Sequence, residues 1–240
     1  SEKIMEIAEQ QPADLPVDEW LWRATLTLAT TSFGFGFDRA IVLTPEPNAE
    51  KLRVRMAIGC LNPKDPAPCN EAEILFRTFE EYIAHLQAGR VEVSPLHEQI
   101  ADWVVDAEGA LGEVLREHQL VLIPSATAKA RLPQKLLDML GVTDYVLTPA
   151  KAGDQLVGIV LLDTIRQREP QHLGALHRFD TLTNEIALIY ENLRKARAQR
   201  QLLDIQHEVL VQAVSRPLKE TLERICHAIQ AISGADLAAI

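Results

Sequence analysis

Two strand patterns, Asp144 to Pro149 and Gln155 to Asp163, constrain this chain most. The second contains Val157 to Leu162, the best apolar run in the sequence and the length of a buried strand. Gly153-Asp154 between the two patterns supplies turn chemistry. A similar pair lies upstream, Asp38 to Thr44 and Leu52 to Ile58, around a turn holding Pro45, Pro47 and Asn48. A further buried strand is read at Gln119 to Pro124, from Leu120-Val121-Leu122-Ile123. No apolar run approaches the roughly 18 residues of a membrane span.

Helical patterns flank these strands. Asp18 to Thr31 opens with Pro16 and Asp18 and is stopped by Gly34 and Gly36. Its apolar residues lie nearly all round, which predicts contacts on more than one face. A Pro-rich loop, Gly59 to Cys69, leads to Asn70-Glu71-Ala72-Glu73. This reads as a capping box, and the helix is expected to run from there to about Ala88. Ser94-Pro95 can start a short helix, and Pro133 starts another over Gln134 to Leu140, ended by Gly141.

The last segment is one helical pattern from about Leu173 to Gln212. Leu176, Phe179, Thr183, Ile186, Tyr190 and Leu193 share a face that can pack on a sheet. Beyond Arg194 charged residues dominate. Ile189, Ala196, Leu203 and Leu210 recur every seventh residue, an imperfect coiled-coil seam suited to a dimer stalk; a plain exposed helix is the alternative.

Charge and cysteine content narrow the setting. Against 34 Asp+Glu stand 24 Lys+Arg, a formal charge of -10, which argues weakly against nucleic acid as the main partner. Three cysteines are no secreted disulfide scaffold, and the N-terminus has no signal-peptide pattern, so a cytoplasmic setting is expected. A length of 240 residues suits one large domain, or one domain and part of another. The tail supports the latter. The helix Leu222 to Ile229 followed by Ser233-Gly234-Ala235-Asp236 echoes the first helix followed by Gly36-Phe37-Asp38.

On these pieces the chain resembles the GAF domains of bacterial signalling proteins. The resemblance rests on Gly34-Phe35-Gly36-Phe37-Asp38-Arg39-Ala40-Ile41-Val42-Leu43, on Leu52 to Gly59, on Glu71-Ala72-Glu73 and on Leu140-Gly141-Val142. Thr148 to Asp163 and the closing helix with Asn184, Ala187 and Asn192 complete it. It is nearest to GAF domains found upstream of histidine kinase or diguanylate cyclase modules. The resemblance implies an α+β fold, a GAF-like central antiparallel sheet flanked by helices, with a long C-terminal signalling helix. It divides the chain into a sensory domain at 1–195, a helical linker at 196–216 and the truncated start of a second GAF domain at 217–240. It also implies a small-molecule pocket between one face of the sheet and its loops and short helices. On the other face it implies terminal helices that pack together and often dimerise.

Cys60 and Cys69 bracket the Pro-rich loop, nine residues apart, and are candidates for a redox pair or a thiol enzyme. Pro68-Cys69-Asn70 departs from the glycine-flanked motif of the free methionine sulfoxide reductases, which share the fold. Cys69 beside a helix N-terminus is the residue whose thiolate a dipole would favour. No metal-ligand spacing is present. His97 lies near the pocket region, where some GAF domains hold a haem-ligating His; Trp103 and Tyr145 are candidate pocket walls. The bilin and cyclic-nucleotide motifs of the family are absent, so the cofactor is open: haem or another small ligand fits, bilin is disfavoured. Gly34-Phe35-Gly36-Phe37 precedes a strand, so it is a turn and no phosphate cradle. Asp38 and Arg39 read as a structural turn or an edge ion pair. The expectation is a non-catalytic sensory domain, homodimeric through Ile189, Leu193, Ala196, Leu203 and Leu210, that signals to an output domain in the same chain. A thiol-based enzyme or redox sensor and a purely structural dimerisation module are the alternatives.

Overall fold

The computed structural model describes residues 17–47, 50–60, 75–88, 94–164 and 173–233. The chain divides into two units, Ser1–Asn192 and Leu193–Ile240.

Six strands of the first unit form one antiparallel sheet: β1 (Arg39–Pro45), β2 (Lys51–Gly59), β3 (Val104–Asp106), β4 (Val121–Ile123), β5 (Asp144–Ala152) and β6 (Gln155–Thr164). Their order across the sheet is β3-β2-β1-β6-β5-β4. The two hairpins expected from sequence meet at its centre, where β1 pairs with β6 in the register Arg39↔Asp163, Ile41↔Leu161, Leu43↔Ile159. Because strand side chains alternate between faces, Ile41, Leu43, Leu161 and Ile159 share one face and belong to the main apolar cluster. Ala40, Val42, Val160 and Leu162 are buried outside that cluster.

Four short helices contribute to the cluster. They are α3 (Pro95–Ile100), α4 (Gly109–Glu117), α5 (Ser125–Arg131) and α6 (Gln134–Leu140), following α1 (Val17–Thr30) and α2 (Phe79–Gln87). Leu96 and Ile100 of α3, Leu111 and Val114 of α4, Ala128 of α5, and Leu136, Leu137 and Leu140 of α6 are buried in it.

α1 packs on β1 and β2. Trp20, Leu21, Trp22, Leu26 and Ala29 are buried, and so are Thr25, Thr27 and Thr30, as the all-round apolar pattern predicts. The threonine hydroxyls are not left orphaned. Thr25 and Thr30 donate to the carbonyls of Leu21 and Leu26, and Thr27 donates to the Tyr82 hydroxyl at 2.9 Å. The C-terminal helix α7 (Leu173–Ser233) buries Leu176, Phe179, Thr183, Ile186 and Ala187. Phe179 meets Phe35 edge-on at 5.0 Å and Phe37 at 6.2 Å, and Tyr190 meets Trp22 at 5.9 Å.

The structure differs from the sequence reading in three respects. Leu75 of the helix expected from Asn70 to Ala88 is helical, but 76–78 are not, and α2 begins at Phe79, where Thr78 and Glu81 make the cap. Thr78 Oγ1 accepts from Glu81 N at 3.2 Å and the Glu81 carboxylate accepts from Arg77 N at 2.8 Å. The capping box read at Asn70 to Glu73 lies outside the described residues. β3, α4 and α5 were not expected. α7 does not end near Gln212 but passes Pro217 to Ser233. A proline removes one helical hydrogen bond and bends the axis, and the good helix formers that follow it resume the helix.

In the second unit the described part is helix to Ser233, and Leu202, Leu203 and Ile205 are exposed.

Candidate functional site

The site expected from sequence is the space between the sheet and its short helices. Among the described residues this space is filled largely by aliphatic side chains, and its polar groups lie at the margins.

One margin is made by β2, β3 and the N-terminal end of α6. Trp103 is half-buried against the cluster. The Lys135 ammonium sits 4.5 Å from its ring centroid and donates to Val104 O at 3.2 Å, fixing α6 above the indole. The opposite margin lies at the C-terminal end of α6. There Tyr145 is buried, and its hydroxyl donates to Gly141 O. Burial pushes the phenol well above its usual range, with the Asp163 carboxylate acting in the same direction, so Tyr145 remains a proton donor at physiological pH. Trp103 and Tyr145 therefore stand at the two ends of α6.

His97 faces a different set of groups. Leu96 and Ile100 carry the apolar face of α3, and His97 lies off it, half-buried. Burial lowers its pKa and Arg23 of α1 lowers it further, with Glu19, Asp102 and Glu98 opposing. Its Nδ1 is buried without a partner among the described residues. The imidazole is thus neutral at pH 7, with one nitrogen available as an acceptor.

Sequence reasoning missed the most unusual polar group. Arg39 is fully buried, and so is Asp163. The Arg39 Nε donates to Asp163 Oδ2 at 2.7 Å, and Nη2 lies 2.5 Å from the same oxygen. Nη2 also donates to Leu140 O, the last carbonyl of α6, at 2.5 Å. The edge ion pair expected at Asp38-Arg39 is in fact a central one, because β1 lies mid-sheet and aims Arg39 at the covered face. Burial drives the Asp163 carboxyl up to about 6, against the pull of Arg39 and with a smaller push from Asp38.

Cys60 closes β2 and is disulfide-bonded. Cys69 lies outside the described residues, and the side chain of Cys226 is likewise not described. Of the expected dimer residues, Ile189 and Leu193 are half-buried, Ala196 and Leu203 are exposed, and the side chain of Leu210 is not described. A separate surface cleft of about 330 Å³ is lined by Pro45, Ala107, Gly112, Leu115, Arg116 and Leu156. Among the described residues no group of three His, Cys, Asp or Glu side chains could hold a metal ion, and no helix is long and apolar enough to cross a membrane.

No protein-family model matches the chain, and no curated protein matches it. Solved structures do. A GAF domain/HD domain protein from Geobacter sulfurreducens matches with a TM-score of 0.50 and 14% identity, over 76% of this chain and 97% of that one. The second GAF domain of DevS from Mycobacterium smegmatis matches with a TM-score of 0.49 and 13% identity, over 77% and 99%. Residues 122 to 287 of a methyl-accepting chemotaxis protein match with a TM-score of 0.49 and 15% identity, over 80% and 97%. At such identities the likeness is one of fold: the antiparallel six-stranded sheet with its flanking helices is the GAF fold.

Proposed function

We propose that this chain is a non-catalytic sensory or regulatory GAF domain of a bacterial signalling protein, acting in the cytoplasm. A small molecule or other signal at the covered face of the sheet changes how α1 and α7 pack. α7 carries that change to an output domain further along the same chain. Residues 1–195 are the sensory domain, 196–216 the signalling helix and 217–240 the start of a second domain of the same kind. His97, Trp103 and Tyr145 are the residues through which a ligand would be felt. Two chains associate through Ile189, Leu193, Ala196, Leu203 and Leu210.

The observation that carries this reading is α7. Its first turns bury Leu176, Phe179, Ile186 and Ala187 in the first unit, and the same helix continues to Ser233 with Leu202, Leu203 and Ile205 exposed. Exposed apolar side chains clustered on a helix are costly unless a partner covers them, and Leu203 stands in the heptad row read from sequence at Ile189, Ala196, Leu203 and Leu210. One helix thus belongs to both the sheet and the seam, which is what a coupling element requires.

Sedimentation velocity tests the seam. The chain is expected to run as a dimer, and Leu203→Glu to run as a monomer with an unchanged circular dichroism spectrum. A wild-type monomer at high concentration would sink the stalk. Native mass spectrometry and the absorption spectrum of the purified chain test for a retained ligand.

A further inference from the structure

α6 is fastened at both ends. Its N-terminal end is held by Lys135 over Trp103 and on Val104 O, and its C-terminal end by two carbonyls. Leu140 O accepts from Arg39 and Gly141 O from Tyr145. The last carbonyls of a helix have no partner within the helix and carry the negative end of its dipole, so a guanidinium is a fitting anchor.

Arg39 does more than cap α6. Its Nε and Nη2 hold Asp163, the penultimate residue of β6, the strand that precedes α7 in the chain. The backbone of Asp163 is tied in too, since its carbonyl accepts from Asp38 N at 3.0 Å. One residue further back, Phe37 packs on Phe179 of α7. A contiguous path therefore runs from Leu140 O through Arg39 and Asp163 to Phe37 and Phe179. Coupling of this kind travels through such discrete contacts.

We propose that Arg39 is the positioning residue that couples α6, the cover of the apolar core, to the first turns of α7. The proposal rests on the relay reading given above and names the residue that performs the relay. The pair is also poised to change. Arg39 Nη1 and Asp163 Oδ1 are buried without partners among the described residues, so the arrangement is incompletely satisfied. A buried ion pair of this kind adds little net stability, which leaves room for a role other than stability. The charged or titratable groups facing Asp163 are Arg39 of β1, Asp38 immediately before it, and Tyr145 across the β5 register.

Amide hydrogen exchange on the full chain tests this. Gly141 has φ 81° and ψ −169°, and an added Cβ there would meet nothing within 4 Å. Gly141→Ala therefore strains the backbone at the end of α6 without a clash. In the wild-type background it is expected to speed exchange about tenfold both in 134–140 and in 173–192. In an Arg39→Met/Asp163→Leu background, which replaces the pair with apolar side chains, the response of 173–192 is expected to fall to about twofold or less. Arg39→Lys is the second background should the apolar pair not fold, since it exchanges the planar fork for a single ammonium. Equal acceleration of 173–192 in every background overturns the role of Arg39 and leaves the relay standing, carried elsewhere, for instance by the Lys151 N to Asn184 Oδ1 bond. No acceleration of 173–192 even in wild type overturns the relay reading itself.

Discussion

Asp163 is fully buried and ion-paired at the centre of the sheet. Its carboxyl is raised to about 6 in the fold, from an ordinary value of 3.8. Between about pH 4 and pH 6 the folded chain thus holds a proton that the unfolded chain has lost. The Asp163 contribution to stability is full below pH 4 and declines as pH rises through 6. Relative to Asp163→Asn, which does not titrate, the wild type is expected to lose stability from pH 4.5 to pH 6.5 in urea denaturation. A flat or rising difference would show that Arg39 outweighs burial. Cys60 offers a second check at this scale. The chain has three cysteines and Cys60 is in a disulfide, so titration of the unreduced, denatured protein should find one free thiol. Three free thiols would remove the bond. Such a bond persists in oxidising surroundings and is transient in a reducing cytosol.

At the scale of elements, glycines behave in opposite ways. At Gly34 an added Cβ would stand 1.9 Å from Leu28 O, which already accepts Phe35 N. Gly34→Ala is expected to cost about 1–3 kcal/mol or more by forcing the turn away from α1. Gly174, in the first turn of α7, has open space around it, and Gly174→Ala is expected to stabilise by up to about 1 kcal/mol. Chemical denaturation of the two variants, with opposite signs expected, checks both. The same local logic explains what could be read from sequence. The central strands announce themselves by apolar runs between Gly and Pro turns, and α6 by Pro133 and Gly141. β3 is three residues long and too short to show a period. α4 begins Gly109-Ala110-Leu111-Gly112, which propensity alone argues against; burial of Ala110, Leu111 and Val114 overrides it. The Thr78 cap was legible as Thr-x-x-Glu but was overshadowed by the earlier Asn70-x-x-Glu73. At the site, the aromatic residues Trp103 and Tyr145 were visible as candidates. The Arg39–Asp163 pair was not, because its members are 124 positions apart and only the strand register brings them together.

At the scale of the whole molecule, the division after Asn192 makes a direct prediction. The described core residues of the sheet and short helices all precede it. A chain ending at Asn192 is expected to melt within about 4 °C of the full chain at low protein concentration, where a dimer seam adds nothing. A collapse of the transition would show that residues 193–240 take part in the core. The sheet itself has one further consequence. Its two outer strands, Val104–Asp106 and Val121–Ile123, are only three residues long. Each offers too little free backbone to template the strand of another chain, so strand addition at β3 or β4 is disfavoured, while β2 and β5 extend beyond the residues that these two strands pair with.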